Sequence, residues 1–361
     1  MRGKTDKIFI FFLTAIVLMG ILVFASASLG IFAKNEALFY SIITNQFLFG
    51  LMGGILAFFI SSKINYHVWK KYALPIFILA IVTTTLVFVP TIGFESGGAK
   101  RWIHVLSFSF QPSEFLKFGL VAYLAAFFSL PKESRPLLFK TISLFIFLAI
   151  TAVIMLKQPD TTTFVIMAAA ALSIYIASGA KWKHVFAIFA AGLIGFALLV
   201  SFRPYVKERL MTFLDSTRDP QGSSYQIQQS LIAIGSGELF GRGLGQSVQK
   251  FNFLPEPIGD SIFAIIGEEL GFVGGTVIVL LFLLFGLRGL KIASHAKDSF
   301  GAYLAVGIIT LIIAQSFINI ASLIGIFPLA GVPLVFVSHG GTALLFALAE
   351  VGIVANISRK G

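Results

Sequence analysis

The chain contains no cysteine in its 361 residues, which excludes disulfides and thiolate-held metal sites. Charge is scarce as well: Asp, Glu, Lys and Arg make up 12%, where soluble domains carry about a quarter. Histidine occurs five times, at 67, 104, 184, 295 and 339. These positions are scattered, and without a His-Glu-x-x-His pairing the zinc-protease reading falls. The Gly-x-Ser-x-Gly elbow of a serine hydrolase is missing too. The glycine cluster "GSGELFGRGLG" (235–245) has no Gly-Lys-Ser/Thr to close it, and Phe240 stands where Gly-x-Gly-x-x-Gly needs its last glycine. Phosphate-loop chemistry is therefore excluded, and tight turns are the simpler use of those glycines.

Apolar sequence is what the chain has in excess. Hydrophobic residues make up 57%, with 40 phenylalanines and a mean hydropathy of +0.93. Ten runs are long enough to cross a bilayer: 8–30, 42–61, 74–93, 112–130, 138–156, 162–179, 185–202, 260–287, 300–325 and 335–357. Backbone groups cannot stay unpaired in hydrocarbon, and the alternation of barrel strands is absent, so these are helices. The expected fold is an all-α integral membrane protein, a polytopic bundle of about ten transmembrane helices forming one membrane domain over 1–361. The apolar stretch 8–24 exceeds the h-region of a cleaved signal peptide, so the first run reads as a retained anchor.

The formal charge of +11 could point to nucleic acid, but its distribution points to the membrane. With the N-terminus inside, sixteen lysines and arginines from Arg2 to Lys360 fall on the inner segments. The short outer loops hold only Lys34, Lys100, Arg101 and Lys157. That asymmetry places both termini on the cytoplasmic side of the membrane. One long outer segment, 203–259, breaks the pattern of short connections. Within it "YQIQQSLIAI" (225–234) is amphipathic and suits the membrane interface.

Ionisable residues at bilayer depth are functional candidates. Glu114 and Lys117 are three apart on one helical face and can pair, a lock for helix packing that can also support a site. Asp160 follows Pro159 at a helix start, where N-capping is its first reading. Glu268 and Glu269 lie about 12 Å beyond Asp260 along a straight helix, and at least one must face the protein interior. Glu350 lies in the last span with no role assigned. Asp260 stands where Pro255 and Pro257 end one structure and a helix begins. On pattern alone, N-capping is the commoner use of Asp260 or Ser261; the functional use is a carboxylate at the membrane–water boundary that accepts a proton. Lys100, Arg101, Arg203, Lys207, Arg209, Arg242 and Lys250 share that side. Together with a carboxylate they suit a lipid-linked anionic substrate, such as one that releases pyrophosphate. Contact with lipid headgroups is the competing use of each.

Several blocks resemble the SEDS family (shape, elongation, division, sporulation; FtsW, RodA and SpoVE). They are "GAKRW" (98–102), "QPSE" with Lys117, Pro159-Asp160, "RLMTFLD" (209–215), "YQIQQSLIAIGSGELFGRGLGQSVQKFNFLPE" (225–256), "DSIFAIIGEELG" (260–271), "QSFINIASLIGIFPLAGVPLVF" (315–336) and Ser338-His339-Gly340-Gly341. The wording is nearer FtsW than RodA. The resemblance implies a peptidoglycan glycosyltransferase that polymerises lipid II in septal synthesis, beside a class B penicillin-binding transpeptidase and other divisome membrane proteins, with no nucleic acid. It puts the essential aspartate at Asp260. Lys100, Arg101, Arg209, Arg242 and Lys250 become substrate or pyrophosphate contacts, and Glu114, Lys117, Asp160, Gln229, Glu268 and Ser338 become supporting residues. A divalent cation, Mg or Mn, is a candidate helper. The chain departs from many relatives at Ile258-Gly259, where His-Thr is usual, and at Ser261, Gln158 and His339. A lipid II flippase, an elongation-type polymerase and a purely structural scaffold remain as alternatives.

Overall fold

The computed structural model describes residues 5–96, 99–105, 108–131, 137–215 and 224–359. Gly98 and the basic residues Arg2, Lys4, Lys132, Arg135 and Lys360 lie outside the described residues. In chain order the helices are α1 (Lys7–Phe32), α2 (Glu36–Thr44) running through a π-helical segment (Asn45–Met52) into α3 (Gly53–Lys63), α4 (His67–Lys71) and α5 (Ala73–Thr85). After three strands come α6 (Pro112–Phe128), α7 (Leu137–Lys157), α8 (Thr161–Ala177), α9 (Trp182–Phe202), α10 (Pro204–Leu214), α11 (Tyr225–Ser236), α12 (Gln249–Asn252), α13 (Ile262–Ser294), α14 (Ser299–Leu323) and α15 (Gly341–Ser358).

Seven of these segments are long and apolar enough to span a membrane, and Ala73–Phe88 and Thr161–Ala177 are shorter apolar helices. With α6, they account for the ten expected spans. The protein is a multi-pass helical membrane protein. The core is built by α13 on α14, α5 on α6, α8 on α14, α1 on α13 and α3 on α15. In contrast, α9 exposes nearly all its length, with Val185 buried near its start. Both termini meet at one end of the bundle, where the Asp6 backbone N–H donates to Ser358 Oγ. There Asp6 also pairs with Arg288 at 2.7 Å.

Three sequence expectations need correction. First, the connection between the third and fourth spans is an antiparallel sheet in the order β1 (Gly93–Ser96), β2 (Ala99–Val105), β3 (Phe108–Phe110). A meander of such short strands carries too little alternation to be read beside long apolar runs. Second, the last span begins at Gly341 instead of 335, because 335–340 is irregular backbone held by side chains.

Third, α13 is broken. Its 33 residues would reach about 50 Å as one straight helix, well beyond a hydrocarbon core of about 30 Å. The break falls at Gly271, with φ +67°. Four backbone groups lose their helical partners there, and the outer loop replaces them. Phe272 N–H donates to Glu238 O and Val273 N–H to Leu239 O, while the freed carbonyls of Glu268 and Glu269 accept from Arg242 and Gly243. Residues 262–270 therefore form a short separate helix stitched into the loop, and 272–294 makes the span. The two glutamates are held in that stitch, outside the spanning part.

Candidate active site

Asp260 occupies the turn ahead of α13. The carbonyl of Glu256 closes this turn by accepting the N–H groups of Gly259 and Ser261, both at 3.1 Å. Ser261 takes the N-cap position without a capping side-chain bond, and its hydroxyl accepts from Gln226 Nε2 on α11 at 2.9 Å. The carboxylate of Asp260 is thus not consumed in capping. It is half-buried, and among the described residues it has no hydrogen-bond partner.

The irregular stretch before α15 fixes the backbone of this turn. Asn319 Nδ2 on α14 donates to Asp260 O at 2.7 Å and to Val332 O at 2.8 Å. Ser338 Oγ donates to Gly259 O at 2.7 Å and accepts from Leu334 N at 2.8 Å. His339 N–H donates to Ile258 O at 2.7 Å. Gln46, on the π-helical segment, holds the same stretch from behind: its amide donates to Ser338 O and accepts from Gly340 N. A single π turn re-aims a side chain without ending the helix, and here it aims Gln46. The imidazole of His339 points away from the turn and stacks on Phe24; burial lowers its pKa to about 4, so it is neutral.

Two arginines face Asp260 from different elements. Arg209 of α10 lies over the Tyr205 ring at 4.6 Å and donates to Ala330 O at 3.2 Å. Between Arg209 and Asp260 is Gly331, at φ +60°. A Cβ there would lie 3.2 Å from Arg209 Nη2 and 3.6 Å from Asp260 Oδ2, so the absence of a side chain keeps the two charged groups in view of each other. Thr162, in the first turn of α8, donates to the same Ala330 carbonyl at 2.8 Å. Arg101 of β2 is anchored by donating to Gln158 O at 3.2 Å and to Pro159 O. Asp160 caps α8 by accepting from Thr163 N at 3.1 Å, as expected, and also faces the site. Burial, and then the negative charge of Glu256, push the Asp260 carboxyl up to about 6, while Arg101 and Arg209 pull it down and Asp160 adds a smaller upward push. The result is a carboxylate ionised at neutral pH and a stronger base than an ordinary aspartate, next to two permanent cations.

Lys100 is exposed on β2. Arg242 pairs with Glu268 at 3.5 Å. Lys250 is fully buried, with Nζ 2.8 Å from Glu269 and bonded to Ser26 Oγ and Gly245 O. Its ammonium is saturated and sealed, so the expectation of a substrate-facing Lys250 is corrected, and Arg242 likewise belongs to the glutamate stitch. Both glutamates are buried there. Glu268 accepts from Ser247 Oγ at 2.5 Å and Val248 N at 3.0 Å, and the Ser26 hydroxyl of α1 lies 2.6 Å from Glu269. Glu114 and Lys117 form the expected pair at 2.8 Å. Lys117 also donates to Gln315 at 2.7 Å, and Gln315 in turn reaches Pro333 O at 3.0 Å, in the stretch that holds the Asp260 turn. These groups and Glu350 line a small cavity inside the bundle.

Gln229 is half-buried on α11, and the residue that reaches the site is Gln226, one turn earlier. Sequence reasoning also passed over Glu256, Asn319, Gly331 and Gln46. Asn319 could have been found as an amide inside an apolar span; Gly331 and Gln46 act through fold-specific approach and leave no local signal. Among the described residues no group of three or more His, Asp or Glu side chains could hold a metal ion. A cation held by one or two carboxylates together with a substrate's phosphates needs no such group.

A family model described as FtsW/RodA/SpoVE, cell cycle protein, matches residues 6–361. The chain is 39% identical to stage V sporulation protein E of Bacillus subtilis, over 91% of this chain and 87% of the relative. It is 36% identical to a probable peptidoglycan glycosyltransferase FtsW of Geobacter sp. (strain M18), over 98% and 97%. Among solved structures, a chain of a peptidoglycan synthase complex aligns with a TM-score of 0.79 at 24% identity, covering 98% of each chain. Thermus thermophilus RodA aligns with a TM-score of 0.72 at 23% identity, covering 98% and 97%. At these identities the solved structures carry the fold.

Proposed function

The chain belongs to the FtsW/RodA/SpoVE family of cell cycle proteins, and from that premise we propose that it is a peptidoglycan glycosyltransferase with Asp260 as its general base. The name carried by its FtsW relatives supports the activity and a role in division. The observation that carries the residue assignment is a half-buried carboxylate, without a hydrogen-bond partner among the described residues, that faces Arg209 across the bare backbone of Gly331 and Arg101 from β2.

The reaction is an inverting glycosyl transfer between two lipid II-type substrates. Asp260 takes the proton from the 4-hydroxyl of the acceptor N-acetylglucosamine. That oxygen forms a bond to the anomeric carbon of the donor, and the bond from that carbon to the pyrophosphate oxygen breaks. The leaving undecaprenyl pyrophosphate departs as an anion, and Arg101 and Arg209 are placed to neutralise its charge as it develops. The anchoring of each arginine to a backbone carbonyl keeps it aimed without neutralising it. The site end of the bundle faces the outside in this reading, with both termini cytoplasmic, in line with the asymmetry of basic residues. A class B penicillin-binding transpeptidase is the proposed partner, supported by the resemblance to a chain of a peptidoglycan synthase complex.

The test is polymerisation of purified lipid II, read as glycan strands on a gel, with the partner present. General-base help is worth about 10²–10⁴-fold, so Asp260→Asn is expected to lose that factor. Wild-type rates in that variant would remove the assignment. Translocation of fluorescent lipid II across vesicles by a protein that builds no strands would favour a flippase instead.

A further inference from the structure

A site that must hold an anionic leaving group and a carboxylate base together contains a conflict. Each cation that grips the pyrophosphate also stabilises the ionised base and so weakens it. Arg101 and Arg209 act on Asp260 in this sense, from β2 and α10. Two negative groups face it as well: Asp160 at the head of α8, already committed to capping, and Glu256 in Asp260's own turn.

The geometry at Glu256 is unusual. It lies between Pro255 and Pro257 and holds φ at +45°, a region a non-glycine residue occupies only when its surroundings enforce it. Its carbonyl closes the turn through Gly259 and Ser261. Its carboxylate folds back over that turn, with Oε2 3.5 Å from where a Cβ on Gly259 would stand. A Cβ there would make ordinary contact with that carboxylate. Glu256 is exposed, and its carboxylate is held in the same turn as the half-buried Asp260.

We propose that Glu256, folded over the side-chain-free Gly259, is a positioning residue that keeps Asp260 basic in the presence of its two arginines. The proposal rests on the reading of Asp260 as the base. Glu256 touches no reacting atom; it acts through Asp260 by repulsion between like charges.

The experiment is the pH dependence of lipid II polymerisation by the full-length protein, with its partner, for wild type, Glu256→Gln, Glu256→Asp and Asp260→Asn. Wild type is expected to gain activity as pH rises through about 6. Glu256→Gln keeps the shape and removes the charge. It is expected to move the acid limb down by roughly half a pH unit, because a like charge in the same turn raises a carboxyl, and to lower the plateau by up to about three-fold as the base weakens. Glu256→Asp should largely restore the wild-type limb.

An unmoved limb in Glu256→Gln overturns the proposal and leaves the base assignment standing, provided Asp260→Asn is inactive. If Glu256→Gln and Glu256→Asp are both too slow to titrate, Glu256 has a structural role in the turn and the proposal fails as well. Should Asp260→Asn keep normal activity, the base assignment fails first.

Discussion

Asp260 and the Glu268–Glu269 pair lie within ten residues of each other in one stretch of sequence, yet they are opposite uses of a carboxylate. The glutamates are sealed and saturated. Between them they engage Arg242, Lys250, the Ser26 and Ser247 hydroxyls and the backbone of 247–249. Asp260 is half-open, its carboxylate holds no hydrogen bond among the described residues, and it faces cations that are fixed by other groups. A buried charge with every lone pair satisfied locks a loop in place, while a carboxylate left without partners keeps its capacity to accept a proton. The pairing teaches that burial alone does not mark a reactive acid; unspent hydrogen-bonding capacity does.

The sharpest way to break this comparison is to exchange effect for effect. Asp260→Asn should cost about 10²–10⁴-fold in glycan-strand synthesis and leave the melting temperature in detergent unchanged, since no native contact is lost. Glu269→Ala should do the reverse. It strands the buried ammonium of Lys250, and breaking one partner of a buried pair costs about 3–5 kcal/mol. A large drop in melting temperature is expected, and activity should fall only in proportion to the unfolded fraction. An Asp260→Asn protein that melts early, or a Glu269→Ala protein that melts normally, would erase the contrast.

The stitch that holds the glutamates gives an intermediate case. Gly241, at φ +80°, packs so closely that an added Cβ would approach Glu269 O to 2.1 Å. Gly241→Ala is expected to cost about 1–3 kcal/mol from the backbone conformation alone, with more from the clash. Faster hydrogen exchange at Arg242 and Gly243, whose N–H groups occupy the helix break, would place the damage there. Normal exchange at those amides would show that the loop does not depend on this glycine.

These sites differ in how far sequence reached them. The ten spans were legible because bilayer thickness imposes a length and a composition on each. Glu114 with Lys117 and the cap at Asp160 were legible because helical spacing and capping are local rules. The break at Gly271 was not: a lone glycine in an apolar run reads as a tolerated residue, and its meaning depends on a loop some thirty residues earlier. Lys250 was misplaced for a related reason. A lysine in an outer loop looks free until Ser26 on the first helix and Glu269 close around it. Glu256, Gln226 and Gly331 were hidden because each acts through a turn or an approach that only the assembled bundle creates.

The smallest expected effect lies at the join between the reactive turn and its scaffold. Ser338 is one hydroxyl serving two backbone groups, the Leu334 N–H and the Gly259 carbonyl, and Asn319 and His339 hold the same turn beside it. Ser338→Ala leaves both groups short of a partner, a loss of about 1–3 kcal/mol if water does not replace the hydroxyl. Because the neighbouring bonds remain, the lower end is expected: a melting shift of a few degrees and a several-fold slower polymerisation. The acid limb should stay at the wild-type pH, because neither Glu256 nor the arginines move. A shifted limb in Ser338→Ala would mean that the charge balance around Asp260 is set by the scaffold behind the turn and not by the turn itself.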